Sequence, residues 1–146
     1  MNGTTNKKRP TIAMVIDDNN IDQMVAEGLI KASRLTDQVI SEWTAIDALS
    51  YLKVNEDHPE KLPDVIFLDI RMPEMDGFEF LEEYHKLAND LKTKVRIVML
   101  SSSTDPMDKE RAMQNKNVLK FLSKPLTVEE LGNLDSILMF KNKGAN

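Results

Sequence analysis

Five side chains suited to one chemistry stand in this chain: Asp17, Asp18, Asp69, Ser101 and Lys124. Each follows a short, mostly apolar run. Ile12 to Ile16 leads into Asp17 and Asp18, Val65 to Leu68 into Asp69, Ile97 to Leu100 into Ser101, and Leu119 to Leu122 into Ser123-Lys124-Pro125. A carboxylate can attack phosphorus and form an acyl phosphate, which makes Asp69 the candidate nucleophile. Phosphoryl transfer then asks the protein mainly for positioning and charge neutralisation. Asp17, Asp18 and Asp69 brought together would oppose one another's ionisation, and a divalent cation removes that conflict. Oxygen donors without His or Cys favour a hard ion, so Mg2+ is the expected cofactor. Lys124 would put compact positive charge on one phosphoryl oxygen, and Ser101 would donate a hydrogen bond to another.

Taken singly, each residue has a plainer role. An Asp pair after a strand can be a solvated loop or a helix cap, and an Asp at a strand end can be structural. Ser101 opens a Ser-Ser-Ser-Thr run suited to turn formation. Lys124 can be a surface lysine. The combination decides, because four strand ends carrying complementary chemistry are not what chance loops produce.

The elements that must position these residues follow from the hydrophobic pattern. Apolar runs of four to six residues between turn signals read as buried parallel strands, here over 11–16, 39–43, 64–68, 95–100 and 118–122. Ligands bind outside the carboxyl ends of such strands. Helices are expected over 20–33, 45–54, 77–88, 105–114 and from 127 onward. Ile21, Met24, Val25, Leu29 and Ile30 would form the inner face of the first, and Ile46, Leu49, Tyr51 and Leu52 that of the second. Thr44 can cap the second helix, Asp105-Pro106 can open the fourth, and Thr127 to Glu130 is a capping-box pattern. Leu131, Leu134, Leu138 and Met139 would line the last. Residues 55–63 read as an exposed polar loop, Trp43 as partly packed, the methionines as mostly core, and Gly77 as a site for positive φ. The expected division is a flexible lead over 1–10, one domain over 11–140 and a tail over 141–146. Five strands alternating with five helices imply an α/β sandwich with helices on both faces.

The chain has 146 residues, a formal net charge of -5 and no cysteine. Disulfides and thiolate metal sites are therefore excluded, and no basic face is implied for nucleic acid. The first apolar run is too short to span a membrane, so the chain reads as cytoplasmic, with neither a membrane nor a nucleic acid as partner. His58 and His85 read as solvated surface residues.

With these motifs in view, the sequence resembles the CheY-like receiver domain of two-component response regulators over about residues 10–140. The resemblance is carried by Asp17-Asp18, by the stretch VIFLDIRMPEMDGFEF around Asp69, by IVMLSSS with Ser101, and by KFLSKPL with Lys124-Pro125. It implies a doubly wound, flavodoxin-like sheet of order 2-1-3-4-5, with Asp69 phosphorylated by a sensor histidine kinase or a histidine phosphotransfer protein. It also implies Mg2+ held by Asp18, Asp69 and the backbone carbonyl of Arg71, with Asp17 acting largely through water. Ser101 and Phe121 take the positions of the switch hydroxyl and aromatic, and Lys124 that of the phosphate-binding lysine, with the Lys124-Pro125 bond often cis. Phosphorylation would then alter protein binding at the face built by the last strand and its flanking helices. The implied protein is a stand-alone regulator that catalyses only its own phosphorylation and dephosphorylation. Arg71 and Ser103 hold positions that tune dephosphorylation, and Phe121, lacking a hydroxyl, can switch only by packing. One alternative is an adaptor that keeps the fold and binds independently of phosphorylation. Another is an aspartate phosphatase of the haloacid-dehalogenase kind, disfavoured because Arg71 stands where its second aspartate would be.

Overall fold

A computed structural model describes residues 11–103 and 105–144, the side chains of 139–144 excepted. Five parallel strands, β1 (Ile12–Ile16), β2 (Gln38–Glu42), β3 (Val65–Asp69), β4 (Arg96–Ser101) and β5 (Val118–Ser123), form one sheet of order β2-β1-β3-β4-β5. Side chains alternate across it. Ala13, Val15, Val65, Phe67, Val98 and Leu100 face one core; Met14, Ile16, Ile66, Leu68, Ile97 and Met99 face the other. The first core is closed by α1 (Asn20–Ser33) and α6 (Val128–Gly144) through Ala26, Ile30, Leu131, Leu134 and Leu138. The second is closed by α2 (Ala45–Val54), α3 (Gly77–Tyr84), α4 (Asn89–Lys94) and α5 (Pro106–Met113).

Local signals set most helix starts. The Thr44 side chain accepts from the Asp47 N–H, and Asp105, followed by Pro106, accepts from the Met107 N–H. Thr127 and Glu130 form their reciprocal cap. Asp76 and Glu79 form another at the start of α3.

Several expectations need correction. The inner face of α1 is Gln23, Ala26 and Ile30, whereas Ile21, Met24 and Val25 are exposed. Both stripes have helical spacing. Ile30 is buried as expected and Leu29 packs partly against the core; Ala26 is small enough to let the helix approach the sheet, and Gln23 supplies donors that strand-end carbonyls need, so their stripe is the one buried. Ile46 of α2 is likewise exposed. The helix expected over 77–88 ends at Tyr84 and a separate α4 begins at Asn89. Ala88 is extended between them, and its N–H donates to Glu56 Oε2. Loop 55–63 is only partly exposed: Asn55, Leu62 and Pro63 are buried, residues 59–61 form a 3-10 turn, and the Tyr51 hydroxyl donates to the Lys61 carbonyl. Met24, Met107 and Met113 lie on the surface, not in the core. Trp43 falls just beyond β2, exposed, with its indole N–H donating to Asn20 Oδ1. Positive φ occurs at Glu74, not at Gly77. α6 continues to Gly144, past the expected start of the tail. The lead 1–10, residues 145–146 and the Met139 side chain lie outside the described residues.

Candidate functional site

Parallel pairing brings Asp17, Asp18, Asp69, Ser101 and Lys124 to the carboxyl edge of the sheet. Asp17 follows β1, Asp69 ends β3, Ser101 ends β4 and Lys124 follows β5, and these four strands are consecutive neighbours. Ligand oxygens of Asp17, Asp18 and Asp69 lie within 4.8 Å of one another. Asp17 and Asp69 are buried; Asp18 is exposed. The Lys124 ammonium sits 2.7 Å from Asp17 Oδ2, 2.9 Å from Asp22 Oδ2 and 3.1 Å from Asp69 Oδ1. The Lys124-Pro125 bond is cis, and the Lys124 N–H donates to the Ser101 carbonyl at 2.8 Å.

Charge is out of balance here. Burial, then the neighbouring Asp17 charge, pushes the Asp69 carboxyl up to about 6, although Lys124 opposes the rise. Burial alone would pull the Lys124 ammonium down, but hydrogen bonds to Asp17 and Asp22 and the Asp69 charge drive it up instead. Among the described residues one cation faces four carboxylates, so a second cation would balance the site electrostatically. The donor set fits a hard divalent ion: three carboxylates converge with no sulfur or imidazole among them. Both Asp17 oxygens are engaged, Oδ1 by the Asn19 N–H and Oδ2 by Lys124. Asp18 makes no hydrogen bond among the described residues and is the freest to ligate an ion.

The loop leaving Asp69 explains the glycine that follows it. A Cβ on Gly77 would stand 2.8 Å from the Asp69 carbonyl oxygen and 3.0 Å from the Ile70 Cα. The Gly77 N–H donates to the Ile70 carbonyl at 2.8 Å, closing the turn against the strand end. The requirement is close backbone approach, not left-handed backbone.

Ser101 is buried and its Oγ accepts from the Ser103 N–H at 2.9 Å, which leaves its own hydrogen available to donate. Phe121, opposite Met99 in the sheet, is half-buried against the core beneath α3 and α5. The Arg71 side chain is not turned to Asp69: its guanidinium pairs with Asp108 Oδ2 of α5 at 2.9 Å. His58, in the loop before β3, and His85, just after α3, are exposed.

Sequence reasoning missed two contributors. Asp22 completes the shell around Lys124. Gln23 Nε2 reaches the carbonyls of Val15, Asp17 and Glu42 at 3.0, 3.0 and 2.8 Å, tying α1 to the ends of β1 and β2 and fixing the Asp17 peptide. The available signal for Gln23 was its position one turn before Ala26 and two before Ile30. Asp22 offered only its place in the first turn of a helix starting beside the Asp pair.

Beside this cluster lies a groove of about 230 Å³, lined by Asp17, Asp22, Val25, Leu100, Lys124 and Pro125 among others. Val25, one of its lining residues, belongs with Ile21 and Met24 to the exposed apolar residues of α1.

Comparison with known proteins agrees with this geometry. The family model of the response regulator receiver domain matches residues 13–134. The probable methanogenesis regulatory protein FilR2 of Methanothrix harundinacea is 32% identical over 124 residues, covering 84% of this chain and 77% of that one. Some relatives are longer, the chain spanning 53% of a rice two-component response regulator. A response regulator receiver protein from Dyadobacter fermentans superposes with TM-score 0.78 at 32% identity, covering 88% of this chain and 97% of that one. A two-component response regulator from Cytophaga hutchinsonii gives TM-score 0.84 at 26% identity, covering 91% and 99%.

Proposed function

The chain belongs to the response regulator receiver domain family, and from that premise we propose that Asp69 accepts a phosphoryl group in a Mg2+-dependent reaction. The donor is a phosphohistidine on a sensor histidine kinase or a histidine phosphotransfer protein, which implies a cytoplasmic location. The observation that carries this reading is Asp69 itself. It is a buried carboxylate at a strand end, crowded by two others and faced by one ammonium.

Asp18, Asp69 and the Arg71 carbonyl would hold Mg2+, with Asp17 reaching it through water. Bound there, the ion would supply positive charge to the phosphoryl oxygens. An Asp69 oxygen bonds to phosphorus as the P–N bond of the donor breaks, and that bonding pair stays on the imidazole nitrogen. Lys124 neutralises a phosphoryl oxygen, and the Ser101 hydroxyl donates to another. Movement of Ser101 toward the phosphoryl group, with repacking of the half-buried Phe121, would alter protein binding at the face of α5, β5 and α6 or pass the group onward in a relay. The exposed apolar stripe of α1, beside the groove that reaches Lys124, suits the phosphodonor protein.

The test is intact-mass measurement with acetyl phosphate, with and without Mg2+, beside Asp69→Asn. One Mg2+-dependent phosphoryl addition, absent in Asp69→Asn, is expected. No addition in wild type, with Mg2+ present and beryllofluoride also without effect, would favour the phosphorylation-independent adaptor.

A further inference from the structure

Among the described residues Lys124 is the only ammonium paired with the acidic residues at the strand ends, and its hydrogens are largely spoken for. An ammonium has three donors. Two are committed to Asp17 Oδ2 and Asp22 Oδ2, and the third approaches Asp69 Oδ1. A phosphoryl group arriving on Asp69 can take over the hydrogen that approaches Asp69 Oδ1, but it gains a second hydrogen bond from Lys124 only if Asp17 or Asp22 gives one up.

The carboxylates differ in what release costs them. The Asp17 side chain is 3% exposed, so losing Lys124 would leave a buried charge without its counterion. The Asp22 side chain is 41% exposed and can return to water cheaply. It lines, together with Lys124, the groove beside the cluster.

We propose that Asp22 is a positioning residue that competes with the phosphoryl group for Lys124, holding the ammonium in the resting site and yielding it on phosphorylation. This deepens the receiver reading and rests on it. In the resting protein Asp22 keeps the ammonium oriented; during transfer it sets how readily the anion is received.

The molecule contains a matched control. Asp22 and Asp47 are each the third residue of a helix starting at the carboxyl edge of the sheet. Each N–H donates to its N-cap side chain, Asn19 Oδ1 at 2.9 Å and Thr44 Oγ1 at 3.0 Å. Helix-terminal charge and capping are thus shared, and contact with Lys124 belongs to Asp22.

The experiment titrates beryllofluoride, a phosphoryl mimic, into the full chain at saturating Mg2+, read by the fluorescence of Trp43, the single tryptophan. Asp22→Asn is expected to lower the half-saturating concentration about tenfold, the scale of one charge-assisted hydrogen bond. Asp47→Asn should stay within about twofold of wild type, and Asp22→Glu should restore wild-type behaviour, because charge-assisted bonding to Lys124 is what the site loses. Equal shifts in both Asn variants would assign the effect to through-space charge and overturn the proposal. Unchanged or weaker binding in Asp22→Asn would overturn it too, by showing that Asp22 does not compete. If wild type takes up neither beryllofluoride nor the phosphoryl group of acetyl phosphate, the receiver reading itself falls, and the role of Asp22 with it. A loss confined to Asp22→Asn, with wild type responding, would strike the Asp22 role alone.

Discussion

Strand β3 is bracketed by two aspartates, each facing a lysine, yet the two ends behave in opposite ways. At the amino end Asp64 pairs with Lys94 at 2.6 Å and also accepts from the N–H groups of Thr11 and Ile12 at 2.7 and 3.1 Å. Burial would raise its carboxyl, but Lys94 and those N–H groups outweigh it and hold the pKa below the ordinary value. At the carboxyl end Asp69 shares Lys124 with two other aspartates and is pushed up to about 6. One carboxylate with several donors is a structural pin. Several carboxylates with one donor are an unfinished charge arrangement, which a bound cation would balance. Donor count, not residue type, separates the two ends.

That contrast can be broken from either end. The largest effect is expected from Asp69→Asn, which should abolish phosphoryl uptake in the mass assay, whereas Asp64→Asn should leave uptake intact. Uptake surviving in Asp69→Asn would move the acceptor elsewhere.

Next comes pH. Because its folded-state value is raised, Asp69 makes the native state bind more protons than the unfolded chain. The stability this confers is present below the ordinary aspartate value and is lost as pH rises through about 6, by up to about 3 kcal/mol at about 1.4 kcal/mol per pH unit. Asp64 has the opposite sign: its contribution is present above the ordinary aspartate value and lost as pH falls through the acidic range. Denaturant unfolding of wild type and Asp69→Asn between pH 4 and 8 without Mg2+ checks this, the two curves diverging toward pH 8. Mg2+ should stabilise wild type more at pH 8 than at pH 5.

Lys124→Ala should slow phosphoryl uptake about a hundredfold, the usual scale for losing one preorganised charge at a reacting centre. Mg2+ binding, followed through Trp43, should persist or tighten as the carboxylates lose their cation, while coupling to output is lost. Wild-type uptake would remove Lys124 from the mechanism.

The smallest effect falls at the amino end. Asp64→Asn should cost about 2 kcal/mol of stability through weakened charge-assisted hydrogen bonds, visible as a lower denaturant midpoint. A similar loss of phosphoryl uptake there would show that the two ends of β3 are coupled.

Much of the site was legible because chemistry in an open parallel sheet collects at strand ends. Once the apolar runs around Asp17, Asp69, Ser101 and Lys124 are read as neighbouring strands, convergence follows from direction alone. Asp22 was not legible in this way, because 102 residues separate it from Lys124. The Arg71 side chain was equally opaque: nothing near it in sequence indicates that Asp108, 37 residues on, captures its guanidinium.

The sequence by itself determined the strands, the caps at Thr44, Asp105 and Thr127, and the donor types at the site. These depend on alternation and on hydrogen bonds spanning two to three residues. Only the tertiary structure decided which of two helical stripes of α1 is buried, where the helix expected over 77–88 breaks, and how Lys124 is divided among Asp17, Asp22 and Asp69. Each of those outcomes is a competition between groups distant along the chain. Packing settles it by fixing which donor lies within about 3 Å of which acceptor, a distance no local pattern encodes.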